Sequence, residues 1–196
     1  MKQKDEKILL VVGGPGGSGS STISKMLSKH FSIERIYAGD LFRKKAKEEE
    51  IESFEEFLQD ISDGGNSLDL EIDSLLIEYA KRRNILIESK VFGALAKKKG
   101  IPCTATIWLE ADINIRVKRK LAKEGATGVK GLIRGMRIKK NLNRRYRIDR
   151  EKYMRLYDIK YDSPRLYYDI VLDTSRLNEV ETFNLILERL KDGRFI

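Results

Sequence analysis

The stretch Ile8–Thr22, ILLVVGGPGGSGSST, decides how the rest of the chain is read. Ile8 to Val12 is an uninterrupted apolar run, the pattern of a central parallel strand buried on both faces. It breaks into a glycine-rich loop, after which Ile23, Met26 and Leu27 recur at helical spacing from about Ser20. A strand, a glycine turn and a helix N-terminus in that order aim several backbone N–H groups and the positive helix end at one spot, where phosphate fits. Gly14, Gly16, Gly17 and Gly19 allow positive φ and close approach of phosphate oxygens to the backbone. The pattern G-x-x-x-x-G-K-[ST] aligns from Gly14 through Pro15, Gly16, Gly17 and Ser18 to Gly19, with Ser20 in the lysine position. Ser21 falls where a hydroxyl binds Mg²⁺, and Thr22 follows as a second hydroxyl. The plain alternative, a flexible Gly/Ser turn, does not account for the strand before the loop and the helix after it.

The 196 residues, 41% hydrophobic, suffice for one domain with excursions and a full core. A single cysteine, Cys103, excludes an intrachain disulfide framework and suits a reducing compartment; lying in the apolar run PCTATIWL, it reads as a buried structural thiol. MKQKDEK runs into the first strand with no apolar signal core, and no long apolar segment follows, so a soluble cytoplasmic protein is expected, with no membrane partner. Net charge is +9, unevenly placed: residues 116–160 hold 17 Lys/Arg against four Asp/Glu. Such a segment meets polyanions, either nucleotide polyphosphate or nucleic acid, and part of it is accounted for by a solvated helix face.

Along the chain, Ser32–Tyr37 reads as a second strand, and Asp40 as the N-cap of a helix starting near Leu41. Helical spacing continues through Ile51, Phe54, Phe57, Leu58 and Ile61, past a Gly64–Asn66 break, to Tyr79. Asn84–Ser89 and Ala105–Leu109 are the third and fourth strands, with Val91–Gly100 a short helix between them. Asp112–Lys123 is amphipathic, Gly125, Gly128 and Gly131 mark a break, and a basic helix spans about Leu132–Tyr161. The last strand lies in YDIVLDTS, before a helix from about Asn178. The alternation gives an α/β fold, a five-stranded parallel sheet between helical layers.

Ligands in such sheets sit beyond the carboxyl ends of the strands. There, Glu88 is read either as a carboxylate on the Mg²⁺ side of the loop, opposite Ser21, or as a helix cap or salt-bridge partner. Arg43, one turn after Asp40, is either a surface arginine or a clamp for an acceptor phosphate. Arg145, Asp149 and Lys152 share one helix face, as an ordinary ion-pair ladder or as a closing surface over phosphates. Tyr146, Tyr153, Tyr157, Tyr161, Tyr167 and Tyr168 read as packing residues, with base stacking the alternative. His30, the only histidine, reads as a helix-end cap.

GGPGGSGSST, AGDLFR, LIESKVFG, IWLEA and YDIVLDTS together resemble the cytidylate kinases, particularly their archaeal-type branch, over nearly the whole chain. In that branch the loop commonly ends G-T-G-T-T-T and also lacks the lysine. The resemblance implies a P-loop nucleoside monophosphate kinase fold, a three-layer α/β/α single domain. Its monophosphate-binding insertion would span about residues 41–83 and its lid about 123–150. It implies transfer from Mg²⁺-bound ATP to CMP or dCMP by a monomer. The family's A-G-D-x-[FI]-R turn matches Ala38–Arg43, making Asp40 and Arg43 acceptor-side residues. Asp69 and Asp73 match an acidic pair preceding the insertion's long helix. The arginine of E-G-R-L-A-G corresponds to Lys90, and the lid pattern R-x-x-x-[DE]-x-x-R to Arg145, Asp149 and Lys152. Arg116 and Arg119 match basic residues near the donor nucleotide or the acceptor phosphate. Lysine at 90 and 152 keeps charge but loses arginine's two-pronged grip, and Ser20 keeps neither. Either the charge is redistributed over the basic segment, or catalysis is weakened. The alternatives are a kinase of the same fold for another monophosphate or small hydroxyl acceptor, and a weakly catalytic nucleotide-dependent RNA-binding protein.

Overall fold

Alternation along the first strand sorts the protein into two faces. The computed structural model describes residues 8–48, 67–82, 84–125 and 127–196. In β1 (Leu9–Gly13), Leu9 and Val11 enter one core while Leu10 and Val12 enter the other, all four fully buried. Four more strands, β2 (Glu34–Tyr37), β3 (Ile85–Glu88), β4 (Ala105–Glu110) and β5 (Ile170–Asp173), complete a parallel sheet in the order β2-β3-β1-β4-β5. The register sets Val12 beside Glu88 on one side and Ile107 on the other, and Tyr37 beside Glu88. The loop after β1 therefore opens beside the ends of β3 and β4.

Helices α1 (Ser20–Phe31) and α7 (Glu179–Asp192) cover one face, packing Ile23, Leu27, Ile186 and Leu190 on Leu10, Val12, Leu86 and Ile107. His30 lies edge-on to Phe31 and Phe183 at the end of α1. The other face carries α3 (Ser67–Arg82), α4 (Phe92–Lys99) and the C-terminal part of α6 (Gly128–Tyr157). Its core joins Ile72, Leu76, Phe92 and Leu95 to Trp108, Tyr153, Tyr161 and Tyr168. The tyrosines at 153, 161 and 168 are thus packing residues, as the amphipathic spacing implies, and are closed to base stacking. Gly93 is required here: a Cβ would stand 2.2 Å from a ring carbon of Tyr168. Helix α2 (Ala38–Glu48) follows β2 directly, and α5 (Ile113–Glu124) packs Val117 against Ile138 and Leu142 of α6.

Several boundaries differ from the sequence reading. Asp40 is the third residue of α2, not its N-cap, because the helix starts at Ala38 without an intervening turn; its carboxylate instead pairs with Arg43. Asp69 and Asp73 lie within α3 rather than before it. The break expected at Gly125–Gly131 is confined to the residues between α5 and α6: Gly125 is the left-handed cap of α5, and α6 begins at Gly128. Gly131 and Gly135 are buried helix residues, and a Cβ at 135 would press on Leu121 at 3.2 Å, so small size there lets α5 and α6 approach. Helix α6 ends at Tyr157 with Asp158 left-handed, four residues before Tyr161. Cys103 is half-buried. The apolar pattern Ile51–Ile61, the Gly64–Asn66 break and MKQKDEK lie outside the described residues.

Candidate active site

The loop after β1 is shaped by three glycines in left-handed backbone, Gly14 (φ 147°), Gly17 (φ 88°) and Gly19 (φ 105°), while Gly16 needs no such freedom. At Gly14 a side chain is also sterically impossible, since a Cβ would lie 2.2 Å from the carbonyl oxygen of Leu109. Ser18 tucks beneath the turn, fully buried, its amide donating to the Pro15 carbonyl (3.0 Å). Gly19 caps α1, which leaves the first amides of that helix without side-chain acceptors and directed as an anion site requires.

Two arginines of α5 hold this loop from behind. Arg116, 6% exposed, donates from Nε to the Gly16 carbonyl (2.8 Å), and its Nη2 is buried with no acceptor among the described residues. Arg119 spends its fork on the carbonyls of Ser18 (3.1 Å) and Thr174 (2.6 Å) and on the Thr174 hydroxyl (2.9 Å). Arg119 therefore lines neither cavity described below; it locks the loop to the end of β5. Burial lowers the pKa of both guanidiniums without bringing them near neutrality in function, since arginine stays charged.

Across the loop, Ser21 Oγ donates to Glu88 Oε1 (2.5 Å). Glu88 is 3% exposed, and its other oxygen accepts from Arg35 Nε (2.8 Å) and Nη2. The salt-bridge reading of Glu88 is met at Oε2, while Oε1 faces the loop through Ser21. Arg35 was not foreseen. It projects from β2 beside β3, and pairing of those two strands is what brings it to Glu88.

Two cavities meet at this point. One, about 290 Å³, is lined by Gly13–Gly17, Ser20, Ser21, Glu88, Arg116 and Lys120. The second, about 190 Å³, is lined by Tyr37, Phe42, Arg43, Asp69, Asp73 and Lys152 among others. Tyr37, Ser89, Lys90, Arg145 and Asp149 line both. Lys90 and Asp149 form an ion pair at this junction. Burial lowers the Lys90 pKa, opposed by the attraction of Asp149 and reinforced by the repulsion of Arg145. Arg43 reaches the second cavity from α2, paired with Asp40 and over the Tyr37 ring (5.3 Å). Asp40 is exposed and outside both linings; the buried Ser18 and the half-buried Gly19 and Thr22 line neither cavity either.

The face Arg145, Asp149, Lys152 is not an intrahelical ladder. Its members reach other elements: Asp149 pairs with Lys90, and Lys152 Nζ bonds Asp69 Oδ1 of α3 at 2.8 Å, with Lys152 8% and Asp69 3% exposed. Tyr157, one turn further along α6, donates to Asp73. Burial pushes the Asp73 carboxyl up to about 6, with the Tyr157 hydrogen bond opposing and Asp69 adding to the rise. The sequence reading offered packing or base stacking for Tyr157 and missed this pairing.

The chain matches the AAA domain model over residues 12–130. It is 30% identical over 181 residues to the cytidylate kinase of Pyrococcus horikoshii, spanning 92% of this chain and 87% of that one. To the cytidylate kinase of Methanopyrus kandleri it is 31% identical over 188 residues, 91% of each. Among solved structures, an uncharacterized protein from Eubacterium ventriosum superposes with a TM-score of 0.67 at 16% identity, covering 94% of this chain and 98% of that one. Shikimate kinase from Bacteroides thetaiotaomicron gives 0.61 at 13% identity with the same coverage, a likeness of fold.

Proposed function

This chain belongs to the cytidylate kinase family of P-loop kinases, and from that premise we propose that it transfers the γ-phosphoryl group of Mg²⁺-bound ATP to CMP or dCMP, releasing ADP. The observation that supports this most is the junction of the two cavities. A phosphate loop lines one, acidic residues and Arg43 line the other, and Lys90, Arg145 and Asp149 stand where they meet. Phosphoryl transfer needs this arrangement, since its catalysis is mostly positioning and charge neutralisation.

In this reading the amides of the Gly14–Ser21 loop cradle the donor phosphates, with Arg116 holding the Gly16 peptide in shape. Arg43, Lys90 and Arg145 orient the acceptor phosphate. One of its oxygens attacks the γ-phosphorus as the bond from that phosphorus to the β–γ bridging oxygen breaks, and the electron pair leaves with ADP. Asp149 keeps Lys90 fixed at the junction. Asp69 and Asp73 line only the acceptor cavity, which supports reading them as its base end. Residues 123–150 of α5 and α6 serve as the lid, and residues 41–83 as the monophosphate-binding insertion.

Ser21 Oγ and Glu88 Oε1 are hard oxygen donors in hydrogen-bond contact beside the loop, which fits an ion held by one or two protein oxygens plus phosphates and water. Those two residues would hold Mg²⁺, directly or through water, and the ion would supply neutralisation of phosphate charge. Lys90, Arg116, Lys120 and Arg145 line the donor cavity, which favours redistribution of the charge that Ser20 lacks over a loss of catalysis. Among the described residues no helix is long and apolar enough to cross a membrane. We read the enzyme as a cytoplasmic monomer.

A coupled ADP-release assay with ATP, Mg²⁺ and CMP, dCMP, UMP, AMP or GMP in turn tests the proposal. ADP release above the ATP-only rate with CMP or dCMP is expected. Silence with every acceptor, from folded protein that binds ATP, contradicts it.

A further inference from the structure

Lys152 occupies the position of a lid cation, yet it is spent elsewhere: Nζ bonds Asp69 Oδ1 at 2.8 Å, and both side chains are more than nine-tenths buried. The other oxygen, Asp69 Oδ2, is buried with no donor among the described residues. A buried carboxylate oxygen without a donor is costly, and proteins leave few of them. Asp69 lines the acceptor cavity and not the loop cavity. It sits one helical turn before Asp73, whose Oδ2 is already taken by Tyr157, so of the two carboxylates Asp69 is the one with an orphaned acceptor.

We infer that Asp69 Oδ2 reads the acceptor base by accepting a hydrogen bond from an exocyclic amino group, and that Lys152 is a positioning residue that holds Asp69 oriented through its other oxygen. The inference rests on the kinase reading above and deepens it. Cytosine presents an amino donor at position 4, where uracil presents a carbonyl acceptor. An ionised carboxylate accepts from the first and repels the second, so discrimination comes from both attraction and mismatch. Lys152 is fixed by the same geometry: Asp69 and the Tyr153 ring, 4.9 Å from Nζ, surround its ammonium. It carries no phosphate in this arrangement.

The test compares kcat/KM for CMP and for UMP in wild type, Asp69→Asn, Asp73→Asn and Lys152→Met. Asp69→Asn keeps the side-chain shape and an oxygen for Lys152. It is expected to lower the CMP-to-UMP ratio by about 10- to 150-fold, the range of a hydrogen bond to a charged group. Asp73→Asn is expected to move the ratio less than Asp69→Asn does, since its Oδ2 already accepts from Tyr157. Lys152→Met is expected to lower the ratio too; a lid cation would instead slow both substrates equally and leave the ratio unchanged. A measurement on wild type alone removes any dependence on variant folding. The CMP analogue with hydrogen in place of the 4-amino group is expected to react about as poorly as UMP. Normal turnover of that analogue, an unchanged ratio in Asp69→Asn, or a larger effect at Asp73 overturns the inference while leaving the kinase reading intact. Wild type that phosphorylates no monophosphate overturns both.

Discussion

Asp73→Asn should make the protein more stable, by an amount that depends on pH. Asp73 is 8% exposed on α3, and burial lifts its carboxyl from 3.8 to about 6. The folded state then binds this proton more tightly than the unfolded chain. Stability attributable to the group is fully present below about pH 4 and declines as pH rises through 6, where the buried carboxylate must ionise. A difference of about two units corresponds to about 3 kcal/mol once ionisation is complete. Asparagine keeps the shape and an oxygen for the Tyr157 hydroxyl but cannot ionise. The variant should therefore already lead wild type by about 1 kcal/mol near pH 4.5, beyond any pH-independent difference. It should then gain progressively, to at most about 3 kcal/mol at pH 7.5, or roughly 6–12 °C in Tm for a chain of this size. Urea unfolding followed through Trp108, the single tryptophan, at half-unit steps from pH 4.5 to 8 measures it. A stability difference that is flat across that range, or that turns against the variant as pH rises, refutes the assignment of a burial cost to Asp73.

Arg43→Ala should raise the acceptor KM or cut kcat by about tenfold or more while leaving the KM for ATP within about twofold, since Arg43 lines only the acceptor cavity; steady-state kinetics with each nucleotide varied decides it. Arg35→Met leaves Glu88 buried without its ion-pair partner, and should cost about 3–5 kcal/mol in chemical denaturation and raise the Mg²⁺ concentration for half-maximal rate. Gly93→Ala should lose about 1–3 kcal/mol although alanine is the better helix former, because the new methyl meets the Tyr168 ring at 2.2 Å. A thermal melt at or above the wild-type Tm would show that the ring moves aside at no cost.

The sheet was legible because a parallel strand buried on both faces leaves a continuous apolar run, as in Leu9–Val12 and Ala105–Leu109. The phosphate loop was legible because its glycines meet a backbone requirement that Gly14 and Gly17 now display. Gly131 misled for a related reason. Gly128, with φ 63°, does open the helix after the break, but glycine is also carried inside a helix, and α6 runs through a buried Gly131 unbroken. Asp40 misled because a strand can enter a helix without a capping turn, as β2 enters α2 at Ala38.

The site was legible where a place within one element suffices: Ser21 in the loop pattern, Glu88 at the end of β3, and the face formed by Arg145, Asp149 and Lys152. It was not legible where roles depend on which elements pack together. Arg35 reaches Glu88 only through β2–β3 register, Lys152 reaches Asp69 only because α6 crosses α3, and Arg119 turns to the β5 end instead of the cavity. Each of these is a long-range pairing of a charged side chain with a buried partner, for which the local sequence carries no period.

Transfer of label from [γ-³²P]ATP to CMP, resolved by chromatography of a single reaction, tests the central claim most directly. Label appearing in CDP, at a rate dependent on Mg²⁺ and on CMP, is the predicted result, obtained with Ser20 in the loop as it stands. Label released only as inorganic phosphate, or retained in ATP by folded protein that binds both nucleotides, would contradict the claim that these two cavities meet to pass a phosphoryl group.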